Sequence, residues 1–119
     1  MNSPKANKLI QKITSEVTKG GIDAESLIPQ LQELRELAKL ENDPVVIRCI
    51  RMAYEHLENN GAWEYPVIKP EEDEDGNPLE DEEYTAEEHF STLLSMLEKS
   101  DNKYNRDELR SIANELNDF

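Results

Sequence analysis

The sequence has few of the residues on which disulfide-bonded domains, metal proteins and small enzymes depend. Its 119 residues include one cysteine, two histidines and four glycines. Cys49 cannot form an internal disulfide, and there is no glycine-rich loop of the kind that binds phosphate. No apolar run approaches the ~20 residues of a membrane span, and the first residues lack the apolar region of a secretory signal. We therefore expect a cytoplasmic protein that does not contact membranes.

Negative charge, by contrast, is present in excess. The net charge is −14, and charged residues (34%) are almost as frequent as hydrophobic ones (36%). Residues 1–60 contain 8 basic and 9 acidic side chains, whereas residues 61–119 contain 5 basic and 18 acidic ones. An acidic half of this kind repels nucleic acid and anionic membranes and attracts basic proteins. We expect a basic protein partner and no binding to nucleic acid.

The spacing of the apolar residues predicts helices throughout most of the chain. Apolar side chains recur every three or four residues in five stretches, and polar caps, prolines or glycines separate these stretches. The chain therefore has the pattern of an all-α, single-domain bundle over residues 1–119, with two helical hairpins and an N-terminal helix. The predicted helices cover about 4–19, 23–41, 44–60, 85–99 and 105–116.

Four local features make these predictions more specific. Pro29 lies inside the second stretch, so we expect a kink or a short opening turn before the main helix. Leu40 extends the apolar face of that helix. The 44–60 stretch is apolar around much of its circumference, which indicates the most central helix. Asn105 and Glu108 have the spacing of a capping box, which predicts that the last helix begins there.

The sequence contains no recognisable catalytic or metal-binding constellation. His56 and His89 have no His, Asp or Glu three or four residues away, so a helix would bring no second ligand onto the same face. We expect both histidines to be partly exposed helix residues. Cys49 lies in the most apolar helix, where burial raises the pKa of a thiol and makes it a poor nucleophile. We therefore expect a non-catalytic protein without a cofactor.

Residues 62–84 interrupt the helical pattern with three prolines. For this irregular segment between the third and fourth helices we predict either an ordered strap, residues 62–68, followed by a long, loose acidic loop, or a small hairpin that turns at Asp75-Gly76. Residues 71–83, here called the acidic segment, read EEDEDGNPLEDEE and contain no Lys or Arg. The residues predicted to bind a basic partner are Glu71, Glu72, Asp73, Glu74, Asp75, Glu80, Asp81, Glu82, Glu83, Trp63 and Tyr65.

Trp63 and Tyr65 allow two interpretations. Both follow closely after Gly61, which is expected to end the third helix. They would form an exposed recognition patch if they point outward, because Trp and Tyr are frequent anchors of interfaces. Alternatively they fold back and close one end of the bundle, which we favour in a chain with only seven aromatic residues. Different faces of one ring can serve both purposes.

The acidic segment also resembles the calcium-binding loop of the EF-hand family. If Glu71 is position 1, then Asp73, Asp75 and Glu82 occupy ligand positions 3, 5 and 12. The segment departs from the family pattern in having Glu at position 1, Pro78 at the usually apolar position 8, and prolines where the entering helix should be. We therefore predict no specific calcium site, with a calcium-binding protein as an alternative.

These observations lead to a functional hypothesis. We expect a non-catalytic interaction module whose acidic half binds a basic protein surface. An alternative is an immunity-type inhibitor that mimics nucleic acid and presents carboxylates to a nuclease where phosphates would lie. Bacteriocin immunity proteins are similar in size, acidity and helical build, although no motif links them to this sequence.

Overall fold

The computed structural model describes residues 1–68, 74–76 and 84–119. These residues form five helices, and the all-α, single-domain bundle predicted from the sequence is confirmed. The helices are α1 (Pro4–Gly20), α2 (Ala24–Leu40), α3 (Pro44–Asn60), α4 (Ala86–Glu98) and α5 (Lys103–Asp118).

Each helix begins at a polar side chain that accepts a hydrogen bond from the first turn. Thr85 forms a complete capping box with Glu88, as the spacing predicts. Gly61 ends α3 in the left-handed conformation (φ 68°, ψ 2°), which a residue without a Cβ adopts at little cost. The N-caps of α1 to α5 are Ser3, Asp23, Asp43, Thr85 and Asn102.

The helices pack as a closed ring around one core. The main contacts join α1 to α2 and α4, α3 to α2 and α5, and α4 to α5. The two predicted hairpins, α2–α3 and α4–α5, are therefore present, with α1 between them. Six residues of α3 are buried, compared with four residues in each of the other helices. Helix α3 thus buries the most residues, in agreement with the prediction that it is the most central helix, and it has two main neighbours like every other helix.

Helix α2 continues through Pro29 without a break, so the short opening turn is absent, and the alternative of a kink at Pro29 stays a prediction. Two other local predictions are wrong. Leu40, the last residue of α2, is 79% exposed because it lies where the helix leaves the core. The N-cap of helix α5 lies three residues earlier than predicted, at Asn102 rather than at Asn105. The side chain of Asn105 instead donates a hydrogen bond to the Lys99 carbonyl at 3.0 Å.

Candidate interaction site around the strap and the acidic segment

The strap leaves the end of α3 and lies across the bundle with one face buried. Trp63, Tyr65 and Val67 are buried, whereas Glu64 and Pro66 between them are exposed. This alternation is typical of an extended chain that packs one side against a support. The first part of the predicted irregular segment is therefore an ordered peptide that lies on the helices.

The rings of Trp63 and Tyr65 belong to the core. Their exposed fractions are 4% and 5%. The Trp63 ring lies edge-on to Phe90, with 5.1 Å between the centroids, and the Tyr65 hydroxyl donates to the carboxylate of Glu115 on α5. The interpretation that both rings close one end of the bundle agrees with this burial. This burial contradicts the interpretation of the two rings as an exposed patch, and their contact with a partner stays a prediction.

Two histidines bind the strap through its backbone. Nε2 of His56, on α3, accepts the N–H of Glu64 at 2.9 Å. Nδ1 of His89, on α4, accepts the N–H of Ile68 at 3.0 Å. An imidazole nitrogen that accepts a hydrogen bond is unprotonated, so both contacts require a neutral ring. The strap is thus attached at two points to two different helices.

Burial favours the neutral form of both rings. It lowers the pKa of His56 and of His89 below the ordinary value of 6.5, since a buried site stabilises the uncharged ring. The nearby carboxylates of Glu64 and Glu88 act in the opposite direction, on His56 and His89 respectively, by raising the pKa. Desolvation is the larger effect at both histidines. Neutral imidazoles at pH 7 are what the two backbone hydrogen bonds need.

The prediction that both histidines are partly exposed is wrong for His56. That residue is 5% exposed and lies against the rings of Trp63 and Phe119, with centroid distances of 4.8 and 4.9 Å. The sequence contained the signal, since Cys49, Ala53 and His56 follow one another at intervals of four and three residues along the buried face of α3. His89 is half-buried, as expected.

Two of the nine predicted acidic partner contacts lie within the described residues. Glu74 and Asp75 are exposed in a turn that also contains Gly76, which has a positive φ of 80°. A turn is therefore present where the hairpin alternative places one, although the flanking residues are outside the described ranges. Three of the four calcium-ligand candidates, Glu71, Asp73 and Glu82, also lie outside the described ranges. The predicted contacts outside the described residues are Glu71, Glu72, Asp73, Glu80, Asp81, Glu82 and Glu83.

Two open grooves lie at other places in the bundle. A groove of about 610 Å³ between α1 and α2 is lined by Lys12 and Lys19 and by the carboxylates of Glu16 and Asp23, so its charges balance. Glu16 also accepts a hydrogen bond from Gln30 of α2 at 2.7 Å. A second groove, of about 490 Å³ between α2 and α3, is lined on its polar side by Arg35, Arg48, Arg51 and Asn42.

Cys49 and the candidate metal-binding side chains are the remaining groups with possible chemistry. Cys49 is fully buried, and burial raises the pKa of its thiol to about 12, in agreement with a small core residue. Among residues 1–68, 74–76 and 84–119, no three His, Cys, Asp or Glu side chains are placed to bind a metal ion. No helix in the same ranges is both long and apolar enough to cross a membrane.

Comparison of the chain with protein-family models, with curated proteins and with solved structures gave no match. The function of this protein must therefore be inferred from its own charge distribution and geometry. The most distinctive feature of its geometry is the strap with the two histidines that bind it. The most distinctive feature of its charge distribution is the acidic segment that follows the strap.

Proposed function

We propose that this protein is a non-catalytic interaction module whose acidic half binds a basic protein surface. The observation that carries the proposal is the charge distribution, with 18 acidic and 5 basic side chains in residues 61–119 and near balance in residues 1–60. The buried core that the structure describes consists almost entirely of apolar side chains. This supports a role for the excess charge outside the core, in contact with a partner.

Clustered carboxylates act mainly on the rate and selectivity of association. A surface of one sign accelerates encounter with a surface of the opposite sign and repels surfaces of the same sign. Glu64 in the strap and Glu87 and Glu88 in the first turn of α4 extend the negative charge on both sides of the acidic segment. The proposal therefore predicts a basic protein partner in the cytoplasm, no binding to nucleic acid, and affinity that falls as salt rises.

An immunity-type inhibitor would be a narrower case of the same proposal. Such a protein also directs carboxylates at a basic site, which in a nuclease normally binds phosphates. The two functions differ in the partner and not in the surface that this chain would use. The two functions are separated by testing whether the captured partner is a nuclease and whether this protein inhibits it.

The experiment is a pull-down from the source organism followed by calorimetry with each captured protein. The wild type is compared with a variant in which the nine carboxylates of 71–83 become Asn or Gln. A control for charge removal elsewhere, Glu25→Gln with Glu33→Gln and Glu36→Gln, removes three exposed carboxylates of α2 instead. We expect basic proteins whose affinity falls with salt and is lost only in the first variant. Equal binding by that variant, or capture of acidic proteins only, would contradict the proposal.

A further inference from the structure

We propose that the strap is a pH-sensitive element, which is released from the bundle when His56 and His89 take up protons. The proposal stands on geometry that two independent residues share. Each histidine uses a ring nitrogen to accept a backbone N–H of the same short peptide, from Glu64 and from Ile68. These are the two histidines of the chain, and both are used in the same way.

Protonation is incompatible with either hydrogen bond. When Nε2 of His56 carries a proton it becomes a donor and faces another donor, the N–H of Glu64, at 2.9 Å. The same conflict arises between Nδ1 of His89 and the N–H of Ile68 at 3.0 Å. A charged imidazolium must then either leave its position or displace the strap.

The surroundings of His56 offer little compensation for a positive charge. Glu64 of the strap is the carboxylate that raises its pKa, and Glu55 of α3 lines the groove beside it. That groove is also lined by the neutral side chains of Leu116 and Asn117 of α5, and the rings of Phe119 and Trp63 lie against the imidazole. Burial outweighs the charge of Glu64, which is why the pKa of His56 lies below its ordinary value.

The surroundings of His89 lead to the same result. Glu88, the preceding residue of α4, is the carboxylate that acts on it, and the ring of Tyr84 lies 5.9 Å away by centroid distance. The strap presents only the backbone of Ile68 to the ring nitrogen. Here too, desolvation is stronger than the attraction of the carboxylate, and the pKa is lowered.

The direction of the pH effect follows from these lowered pKa values. In the released state each imidazole is hydrated and has a pKa near 6.5 or higher, because the acidic segment next to the strap attracts the proton. The released state therefore binds more protons than the attached state at mildly acidic pH, and acidification favours release. Between pH 7.5 and 5.5 the opening equilibrium should rise by up to about tenfold for each histidine and about a hundredfold for both.

Release would expose a surface that the attached strap covers. Trp63, Tyr65 and Val67 would leave the core, and the apolar seat beneath them, which includes Phe90, would face solvent. The acidic segment follows the strap directly in the chain, so an apolar patch would appear beside the negative charge. Aromatic side chains at such a patch are suited to anchor a protein partner. This inference does not depend on the proposed function.

The test follows the emission of Trp63, the one tryptophan of the chain, from pH 8 to pH 4.5. We expect a red shift as the pH falls below about 6.5, with the helical circular dichroism unchanged over the same range. In the double variant His56→Gln with His89→Gln the shift should disappear, because Gln can accept the backbone N–H through its amide oxygen and does not titrate in this range. Each single variant should keep the contribution of one histidine, so its opening equilibrium should rise by about tenfold and not by about a hundredfold over the same pH range.

Amide hydrogen exchange of the wild type provides a readout that does not need a folded variant. After correction for the intrinsic rate, the protection of the Glu64 and Ile68 amides should fall between pH 7.5 and 5.5, whereas that of core amides such as Leu94 should not. Unchanged protection of the two strap amides would overturn the proposal. So would loss of helical signal with the same midpoint as the tryptophan shift, since the whole bundle would then be opening.

Discussion

Arg106 of α5 donates two hydrogen bonds to the carboxylate of Asp43, one from Nη1 at 2.7 Å and one from Nη2 at 3.0 Å. The same carboxylate is the N-cap of α3, where it accepts the N–H of Val46 at 3.4 Å. One side chain thus begins a helix and joins it to another helix 63 residues further along the chain. The pair is mostly shielded from water, with side-chain exposures of 20% for Asp43 and 33% for Arg106.

We expect the Asp43–Arg106 pair to make stability depend on acid pH. The hydrogen bonds from Arg106 lower the pKa of Asp43 below 3.8, so the folded state binds its proton less readily than the unfolded state. The stabilisation is complete at pH values above the pKa that Asp43 has in the unfolded state. It is lost as the pH falls through the lower pKa that Asp43 has in the folded state. Asp43→Asn should cost about 1–2 kcal/mol at pH 7, since charged hydrogen bonds contribute about 1.5–3 kcal/mol and this pair is partly hydrated.

Urea unfolding of the wild type and Asp43→Asn at several pH values from 7 to 2 measures this effect. Asparagine is as good an N-cap as aspartate, so the substitution leaves the capping of α3 in place and removes the charge. The difference in unfolding free energy between the two proteins should shrink below about pH 4. A difference that stays constant over the whole range would assign the effect to packing and not to the ion pair.

The core can be tested with two substitutions that remove the same kind of side chain in different places. Ile50 is fully buried in α3, whereas Leu40 is 79% exposed at the end of α2. Ile50→Ala should cost about 2–5 kcal/mol because it leaves a cavity. Leu40→Ala should change the stability by less than about 0.5 kcal/mol. Equal midpoint shifts in urea would contradict the placement of both residues.

Most of the fold was predictable because its signals are local. The apolar period and the caps at Ser3, Asp23, Asp43 and Thr85 lie within a few residues of the helices that they define. The start of α5 was not predictable in the same way, because the spacing of Asn105 and Glu108 resembles a capping box more closely than does the sequence after Asn102, the N-cap that the structure uses.

The contacts around the strap could not be predicted from the sequence, for a different reason. The bonds from Glu64 to His56 and from Ile68 to His89 depend on where an irregular peptide lies across α3 and α4. No periodicity describes such a peptide. The pairing of Asp43 with Arg106 likewise requires the relative placement of α3 and α5, which spacing along one helix does not contain.

Cys49 should not react with thiol reagents in the native protein. Its thiol is fully buried and its pKa is raised to about 12, so both access and the thiolate fraction are very low at pH 8. We expect colour development with Ellman's reagent to be at least ~100-fold slower in buffer than in guanidinium chloride. Cys49→Ser supplies the blank. Fast labelling of the native protein would show that α3 opens far more readily than its packing indicates.

The resemblance of the acidic segment to a calcium loop should not extend to calcium binding. Pro78 and the prolines before the segment disturb the loop and its entering helix, and oxygen ligands alone do not make an ordered site. Titration calorimetry with calcium chloride should show only weak heats that disappear in 150 mM KCl. A one-to-one site of micromolar affinity, lost in Asp73→Asn with Asp75→Asn, would contradict this expectation.

Replacement of residues 71–83 by a Gly/Ser linker of equal length should leave the bundle intact. Equal length keeps the entropy of loop closure nearly unchanged. Removing nine carboxylates relieves their mutual repulsion, which extends over about 8 Å at physiological salt. It also removes the negative charges that precede α4. Such charges stabilise a helix through its dipole by about 0.3–1 kcal/mol each at most. These two effects oppose each other, so we expect the unfolding free energy to change by less than about 1 kcal/mol.

The same replacement should abolish the salt dependence of binding to a basic protein. A second variant of equal length, in which each Asp becomes Asn and each Glu becomes Gln, separates charge from chain flexibility. If the two variants unfold like the wild type and both fail to bind, the carboxylates serve recognition. If either one is destabilised by several kcal/mol, the segment is part of the folded bundle, and its excess of negative charge has a structural role instead.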